Sequence, residues 1–439
     1  MNNRKVENML WGLIFILILV CPSYYSWLYC LFCFILFGIY LKLFLGFKKK
    51  DSYFDFDTIF LISFSITGFA YPLFIYQAFD PFLPFFFNSF DLNVISKSTL
   101  CSTIAGCLYM KGSLSNVRIE QSNKQVLVKS AFILYIAIFC SFLFYFVGGF
   151  DYYSNHYAGV NTEKNSLIFQ LETIIQCLML WVTANEFYQV HRGIKKKPSL
   201  LFCITNLSLG FLFSVSGNRT TGMILVLPFL YFTFTYYYKL SLSKMFVLLV
   251  LAFVAMFAIQ VLRSGDDFSI SNLSFNSVVS DLIIPSRSNY LVYECISKNG
   301  FTFGQTMLGG VVNIIPSLYG TLERMGCNVF EWGSAGYFTS YTEESGGNVL
   351  TGLGTTLQAD VQLAFGYIGL FIFYYLGRFV HWVHYNLKGG NFNCFILYAI
   401  IMGVAVFWVR SELTYPIRLF VWTIFLNKII NYFSKRWKK

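Results

Sequence analysis

Charge is what this chain has least of: Asp, Glu, Lys and Arg together make up 12% of its 439 residues, while 56% are hydrophobic and 20% aromatic. No water-soluble domain can hide that much apolar side chain in one core, and a mean hydropathy of +0.59 excludes one. Acids are scarcer than bases, 21 against 32. An A-x-A cleavage signature is lacking near Cys21, so the first apolar run reads as an uncleaved first helix although Arg4 and Lys5 precede it. No internal repeat is evident either, which argues against a secondary transporter built from two related halves.

Long apolar runs are abundant instead. Trp11 to Val20, Trp27 to Phe47, Thr58 to Tyr76, Val126 to Val147, Leu200 to Val215, Met223 to Tyr238 and Met245 to Leu262 approach or exceed the roughly 20 residues that cross a bilayer as helix. Leu357 to Val383, Phe395 to Val409 and Tyr415 to Phe433 follow a long polar interval, and two diluted runs, Val94 to Met110 and Ser166 to Tyr188, complete a set of about twelve. The expected fold is therefore an all-α polytopic membrane protein with about twelve spans. It divides into spans one to nine (1–262), a large outer segment (263–356), and three last spans with a basic tail (357–439).

Lysine and arginine in short loops stay cytoplasmic. With the N-terminus inside, alternation places the clusters Lys48–Lys50, Lys111 to Lys129, His191 to Lys197, Lys239 to Lys244, Lys388 and Lys435 to Lys439 inside, with both termini cytoplasmic. Roughly 23 of the 32 basic residues fall there. The formal charge of +11 is then ordinary topology and no sign of nucleic acid.

About nine cations remain outside, and most are arginine: Arg219, Arg263, Arg287, Arg324, Arg410 and Arg418, beside Lys97, Lys164 and Lys298. The planar guanidinium fork binds phosphate or carboxylate through paired hydrogen bonds and stays charged when partly desolvated, so an outer phosphate-bearing ligand follows. Pairing with acids or snorkelling to lipid headgroups is the competing explanation for any one of them. Arg219 is the sharpest case, because Ser216-Gly217-Asn218-Arg219 breaks two apolar runs with no acid in the motif. Arg287 follows Pro285 and Ser286 and precedes apolar residues at helical spacing, which places it near a helix start whose amides add to an anion site.

The outer segment is too long for a passive connection, and Phe301 to Tyr319 is expected to form amphipathic or re-entrant helices over the bundle. Ser345 to Gly354 is glycine-rich, but it is no Walker A sequence and follows no strand, so it reads as a flexible loop beside an active site. Asp360 comes next, near the start of a span, with small residues in Ala364 to Gly369 that let helices approach closely.

Four places together resemble the O-antigen polymerase (Wzy-type) family: Ser216 to Arg219, the large outer segment with Arg287, the glycine-rich lead into Phe365-Gly-Tyr-Ile-Gly369, and the outer turn Arg410-Ser-Glu-Leu-Thr414. The resemblance covers most of the chain as an architecture. It implies a bundle similar to the GT-C type of membrane glycosyltransferase in the bacterial inner membrane, with segment 263–356 as a periplasmic loop. It further implies polymerisation of undecaprenyl-diphosphate-linked oligosaccharide repeat units into O-antigen or a related surface polysaccharide, with inversion at the anomeric centre. Partners are the lipid-linked donor and acceptor and membrane lipid; whether a chain-length-regulating co-polymerase binds alongside is left open. O-antigen ligases share the bundle but are associated with a histidine in the large loop, and His156, His191, His381 and His384 all lie elsewhere. A lipid-linked oligosaccharide flippase would keep its outer loops short.

Such chemistry needs cations for the diphosphate and a base for the incoming hydroxyl. Arg219, Arg287 and Arg410 are the expected diphosphate and leaving-group contacts, with Arg263 and Arg418 in support. Glu412, two residues from Arg410, is the first choice of base, with Glu344 and Glu294 as alternates. Mere neutralisation of Arg410 or Arg418 is the competing role for Glu412. Neither a metal nor a cofactor is required. Cys30-Leu-Phe-Cys33 lies in an apolar span, where cysteine packs as a small hydrophobe, and pairing of Cys295 with Cys327 stays open. His381 and His384 share a helix face at the inner end of a span and read as interface anchors. Acceptor contacts are expected around Gly148 to Tyr157, among its tyrosines.

Overall fold

A computed structural model describes residues 3–48, 52–75, 90–118, 129–157, 166–248, 250, 251, 254, 283–345 and 354–436. Arg263, Lys164, most of the Met245 to Leu262 run and most of the glycine-rich stretch after Ser345 lie outside these residues. The described residues are helical, with no strand among them.

The helices are α1 Asn3–Leu19, α2 Trp27–Lys48, α3 Phe56–Ala70, α4 Ile95–Ser113, α5 Ser130–Phe146, α6 Gly149–Tyr157, α7 Ser166–His191, α8 Leu200–Val215 and α9 Arg219–Tyr236. In the segment expected to lie outside come α10 Ser288–Asn299, α11 Leu308–Val312, α12 Leu318–Arg324 and α13 Ser334–Glu344. The chain closes with α14 Leu357–Phe365, α15 Ile372–Lys388, α16 Phe392–Gly403 and α17 Ile417–Arg436. Among the described residues, four helices are long and apolar enough to cross a membrane: Trp27–Lys48, Phe56–Phe74, Ser166–His191 and the run Leu357–Lys388. A fifth arises if the pair α5 and α6, bent by 54°, is one span.

Expected and observed helices differ for physical reasons. The Phe395 to Val409 run is α-helical only to Gly403, where the chain passes close to the Ile224 carbonyl; the turn that follows, up to a short 3-10 helix at Trp408, is apolar because it is covered, not because it is α-helical. The Ser- and Thr-diluted run before Met110 forms α4, 19 residues long and buried along most of its length. Its threonine hydroxyls bond back within the helix, as Thr99 donates to the Ile95 carbonyl at 2.8 Å and Thr103 to that of Thr99 at 3.1 Å, while Ser96 and Ser102 donate to groups outside it.

α4 is the axis of one half, packed by α2, α3 and α15. Gly112 and Gly377 let α4 and α15 cross with backbones in contact, for a Cβ at either would collide with a carbonyl of the other helix, that of Tyr374 or Tyr109. α7 is the axis of the other half, packed by α5, α9, α16 and α17, with α8 against α9. The buried core runs through both halves as one cluster. Outer helix α10 is stitched to this bundle where Ser98 of α4 donates to the Asn289 carbonyl at 3.1 Å.

Candidate functional site

The turn between α16 and α17, residues 410–418, holds three of the expected residues and connects two buried polar clusters. It begins with the short 3-10 helix Trp408–Arg410, after which Ser411 is extended and turns the chain over. Trp408 Nε1 donates to the Leu413 carbonyl at 3.1 Å, and the Leu413 amide donates to Asp360 Oδ2 at 2.8 Å. Asp360 stands in the first turn of α14, which Thr356 caps by accepting from the Ala359 amide at 3.1 Å. It is fully buried, and its Oδ1 has no hydrogen-bond partner among the described residues.

Glu412 faces the same spot. Its Oε1 accepts from the Ala335 amide at 3.3 Å, so the carboxylate rests on the N-terminus of α13. Glycine at 333 makes this possible, because a Cβ there would lie 2.5 Å from Glu412 Oε1. Burial, and after it the charge of Asp360, push the Glu412 carboxyl up to about 7 against the pull of the Ala335 and Ser334 amides. Two carboxyl groups from elements 52 residues apart thus meet under a helix N-terminus, and one is poised to exchange a proton near neutrality.

The second cluster surrounds Glu172, buried in α7. Its carboxylate accepts from Asn218 Nδ2 at 2.8 Å, from Gln176 Nε2 at 3.0 Å, and from the hydroxyls of Tyr153 and Thr221. Asn218 also caps α9 by accepting from the Thr221 amide at 3.1 Å, after Gly217 has turned the chain at a φ of +108°. The sequence motif with no acid of its own therefore wraps an acid supplied by α7. Arg219 is half-buried as the first residue of α9, where the helix dipole disfavours a cation and, together with the guanidinium, attracts an anion.

Arg418, in the first turn of α17, lies within electrostatic reach of Glu172, and its Nε is buried with no hydrogen-bond partner among the described residues. It lines a cavity of about 230 Å³ between α7 and α17. Apart from Arg418, Gln170 and Thr173 that groove is apolar, walled by Ile174, Leu178, Phe425 and Ile429, three of which are also exposed. Pro316 of the outer segment closes one end, and Trp422 fastens that segment by donating to the Ile314 carbonyl at 2.8 Å.

The remaining expected residues are dispersed. Arg410 is half-buried at the start of the turn. Arg287 does precede a helix, but it is 2% exposed, packed inside the outer segment with its Nη2 3.5 Å from Thr342 Oγ1. Burial lowers it to about 10 while Cys295 and Glu294 act the other way. Glu294 is engaged by Lys298 at 2.8 Å and by Tyr341 Oη at 3.0 Å. Glu344 is exposed at the end of α13, away from the carboxyl pair. Cys295 and Cys327 are both free thiols.

Asp360 and Glu172 were visible in the sequence as carboxylates inside apolar runs. An ionisable residue in such a run is costly and usually functional, and that signal marks both. No protein-family model, curated protein or solved structure matches the chain.

Proposed function

We propose that the chain is an inner-membrane glycosyltransferase that joins undecaprenyl-diphosphate-linked oligosaccharide repeat units into O-antigen or a related surface polysaccharide. The observation that carries this reading is the turn 410–418, which places a proton-exchanging carboxyl pair at one end and Arg418, heading an apolar groove, at the other. A lipid-linked diphosphate needs both: an apolar channel for its chain beside a cation for its charge, and a base for the incoming sugar. In this reading about twelve spans cross the inner membrane with both termini cytoplasmic, segment 263–356 is periplasmic, and the bundle is of the GT-C type.

The polyprenyl chain lies in the groove between α7 and α17. Arg418 and Arg219 hold the diphosphate, and Arg410 stabilises charge on the departing oxygen. A hydroxyl oxygen of the acceptor sugar attacks the anomeric carbon from the opposite face. The bond from that carbon to the phosphate oxygen breaks, its electron pair leaves with undecaprenyl diphosphate, and the hydroxyl proton passes to the Glu412 carboxylate. The anomeric centre inverts. Asp360 is a positioning residue, holding the turn through the Leu413 amide and keeping Glu412 basic through its charge.

The test is a gel of surface polysaccharide from cells lacking only this protein. Collapse of the ladder to a single repeat unit on its normal acceptor is expected, since export and ligation continue. Loss of even that unit overturns the reading and moves flippase or ligase ahead.

A further inference from the structure

At the opposite end of the bundle, the chain ends that carry lysine converge. The last turns of α2 and α15, the exit from α9 and the entry to α3 enclose a cavity of about 370 Å³ lined by Lys48, Lys239, Lys388, His381, His384 and Asp55. The loop before α3 is laced to the loop after α9, where the Tyr53 amide donates to the Leu240 carbonyl at 3.0 Å. These cations therefore face a shared, walled space.

Several of these groups have partners within the protein. Lys48 pairs with Asp57 and donates to Ser113 Oγ at 2.7 Å; Asp57 in turn accepts from Tyr109 Oη at 2.6 Å. Asp55 is occupied in capping α3, accepting from the Thr58 amide at 3.0 Å and its hydroxyl at 2.7 Å. Among the described residues here, three lysines and two imidazoles share this space with two carboxylates. The Nδ1 of His381 is buried with no hydrogen-bond partner among the described residues. Hydroxyls of Ser52, Tyr231, Thr235 and Tyr385 complete the lining, that of Thr235 already donating to the Tyr231 carbonyl at 2.8 Å.

Lysines at helix C-termini offset the dipole and mark a cytoplasmic loop, and Lys48 and Lys388 meet that description. Neither role requires three lysines, two imidazoles and four hydroxyls to line one cavity. An oxyanion with several acceptor atoms does require it, because lysine supplies the point charge and the hydroxyls and imidazoles supply direction. Basic pockets between helices on the cytoplasmic side suit phosphate head groups.

We infer that this cavity is a second ligand site, for a phosphate-bearing anion, at the end of the bundle remote from the turn 410–418. The phosphate belongs either to the head group of an anionic lipid or to a soluble phosphate compound. Binding is independent of glycosyl transfer.

The experiment uses the purified full-length chain in detergent. Retention of phosphatidylglycerol and of phosphatidylcholine is measured by native mass spectrometry, and protection against thermal unfolding is measured with inorganic pyrophosphate. One of the two anions is expected to bind while phosphatidylcholine does not. Phosphatidylglycerol alone identifies a lipid head group; pyrophosphate alone identifies a soluble compound. The double variant Lys239→Gln/Lys388→Gln is expected to bind about thirtyfold more weakly, as two surface lysines contribute. Loss of any two lysines weakens an anionic lipid non-specifically, so the charge-preserving pair Ser52→Ala/Tyr385→Phe is measured as well, and weaker binding there is also expected. Absence of both anions, or unchanged binding in the charge-preserving pair, overturns the site.

Discussion

Replacing Glu412 by glutamine separates a working carboxyl group from a helix cap. Glu412 sits at about 7 against an ordinary 4.5, because burial and Asp360 both oppose its charge. A carboxyl raised in this way keeps a proton in the folded state that the unfolded chain has already released. Stability therefore falls as pH rises from about 4.5 to about 7, and above that window the loss is complete. At about 1.4 kcal/mol for each unit, ionised Glu412 costs the fold on the order of 3 kcal/mol near pH 8. Glutamine keeps an oxygen for the Ala335 amide but carries no charge. The variant is expected to be the more stable protein near pH 8, by up to that amount, with the difference shrinking to under about 1 kcal/mol near pH 5. It is also expected to form no polysaccharide ladder. Unfolding of the full-length protein in detergent at the two pH values, beside a gel of surface polysaccharide, reads both effects. A cap whose value is stability gives the opposite sign, a loss of about 1 kcal/mol near pH 8. That result, or an unaltered ladder, refutes the role given to Glu412.

Other substitutions test the surroundings. Gly333→Ala brings a methyl group to 2.5 Å from Glu412 Oε1, and is expected to lower stability by about 1–3 kcal/mol and to depress polymer formation. Gly320→Ala, with nothing within 4 Å of the new Cβ, is the matched control and should change neither. Arg219→Lys and Arg418→Lys keep the charge but lose the fork, so both proteins should reach the membrane in normal amounts while the ladder shortens or vanishes. Full activity in both Arg219→Lys and Arg219→Ala removes Arg219 from the site. Glu172→Ala strands the donors on Tyr153, Gln176, Asn218 and Thr221, and a loss on the order of 3 kcal/mol or more is expected in the same unfolding assay.

Helices whose apolar runs coincide with their hydrogen-bonded ladder were legible to within a residue or two. Trp27 to Phe47 became Trp27–Lys48, and Leu200–Val215 was unchanged. Legibility failed where burial and helix part company, as beyond Gly403, since hydropathy reports what is covered and not how the backbone is bonded. Glu412 and the arginines drew attention in the sequence because charge is conspicuous in an apolar chain. Arg287 was correctly set at a helix start, but nothing in its neighbours shows that the guanidinium turns inward. Partnerships were invisible for the same reason. Asp360 meets Glu412, and Glu172 meets Asn218, only through packing of helices distant in sequence. Gly333 gave no signal because its importance is the absence of a side chain opposite another residue's carboxylate.

The fastening of the outer segment bears on how the chain can be dissected. Gly310 leaves no room for a side chain beside Thr414, Gly333 none beside Glu412, and Trp422 grips Ile314, so the segment is moulded onto the ends of α16 and α17. Glu412 even completes the N-terminus of α13 from outside that segment. Excised, residues 283–345 would lose a cap and the surface on which their glycines rest. The segment is therefore no transplantable module: a chimaera that exchanges it between related proteins must carry the turn 410–418 with it, and sequence changes on the two sides of that contact have to be made together.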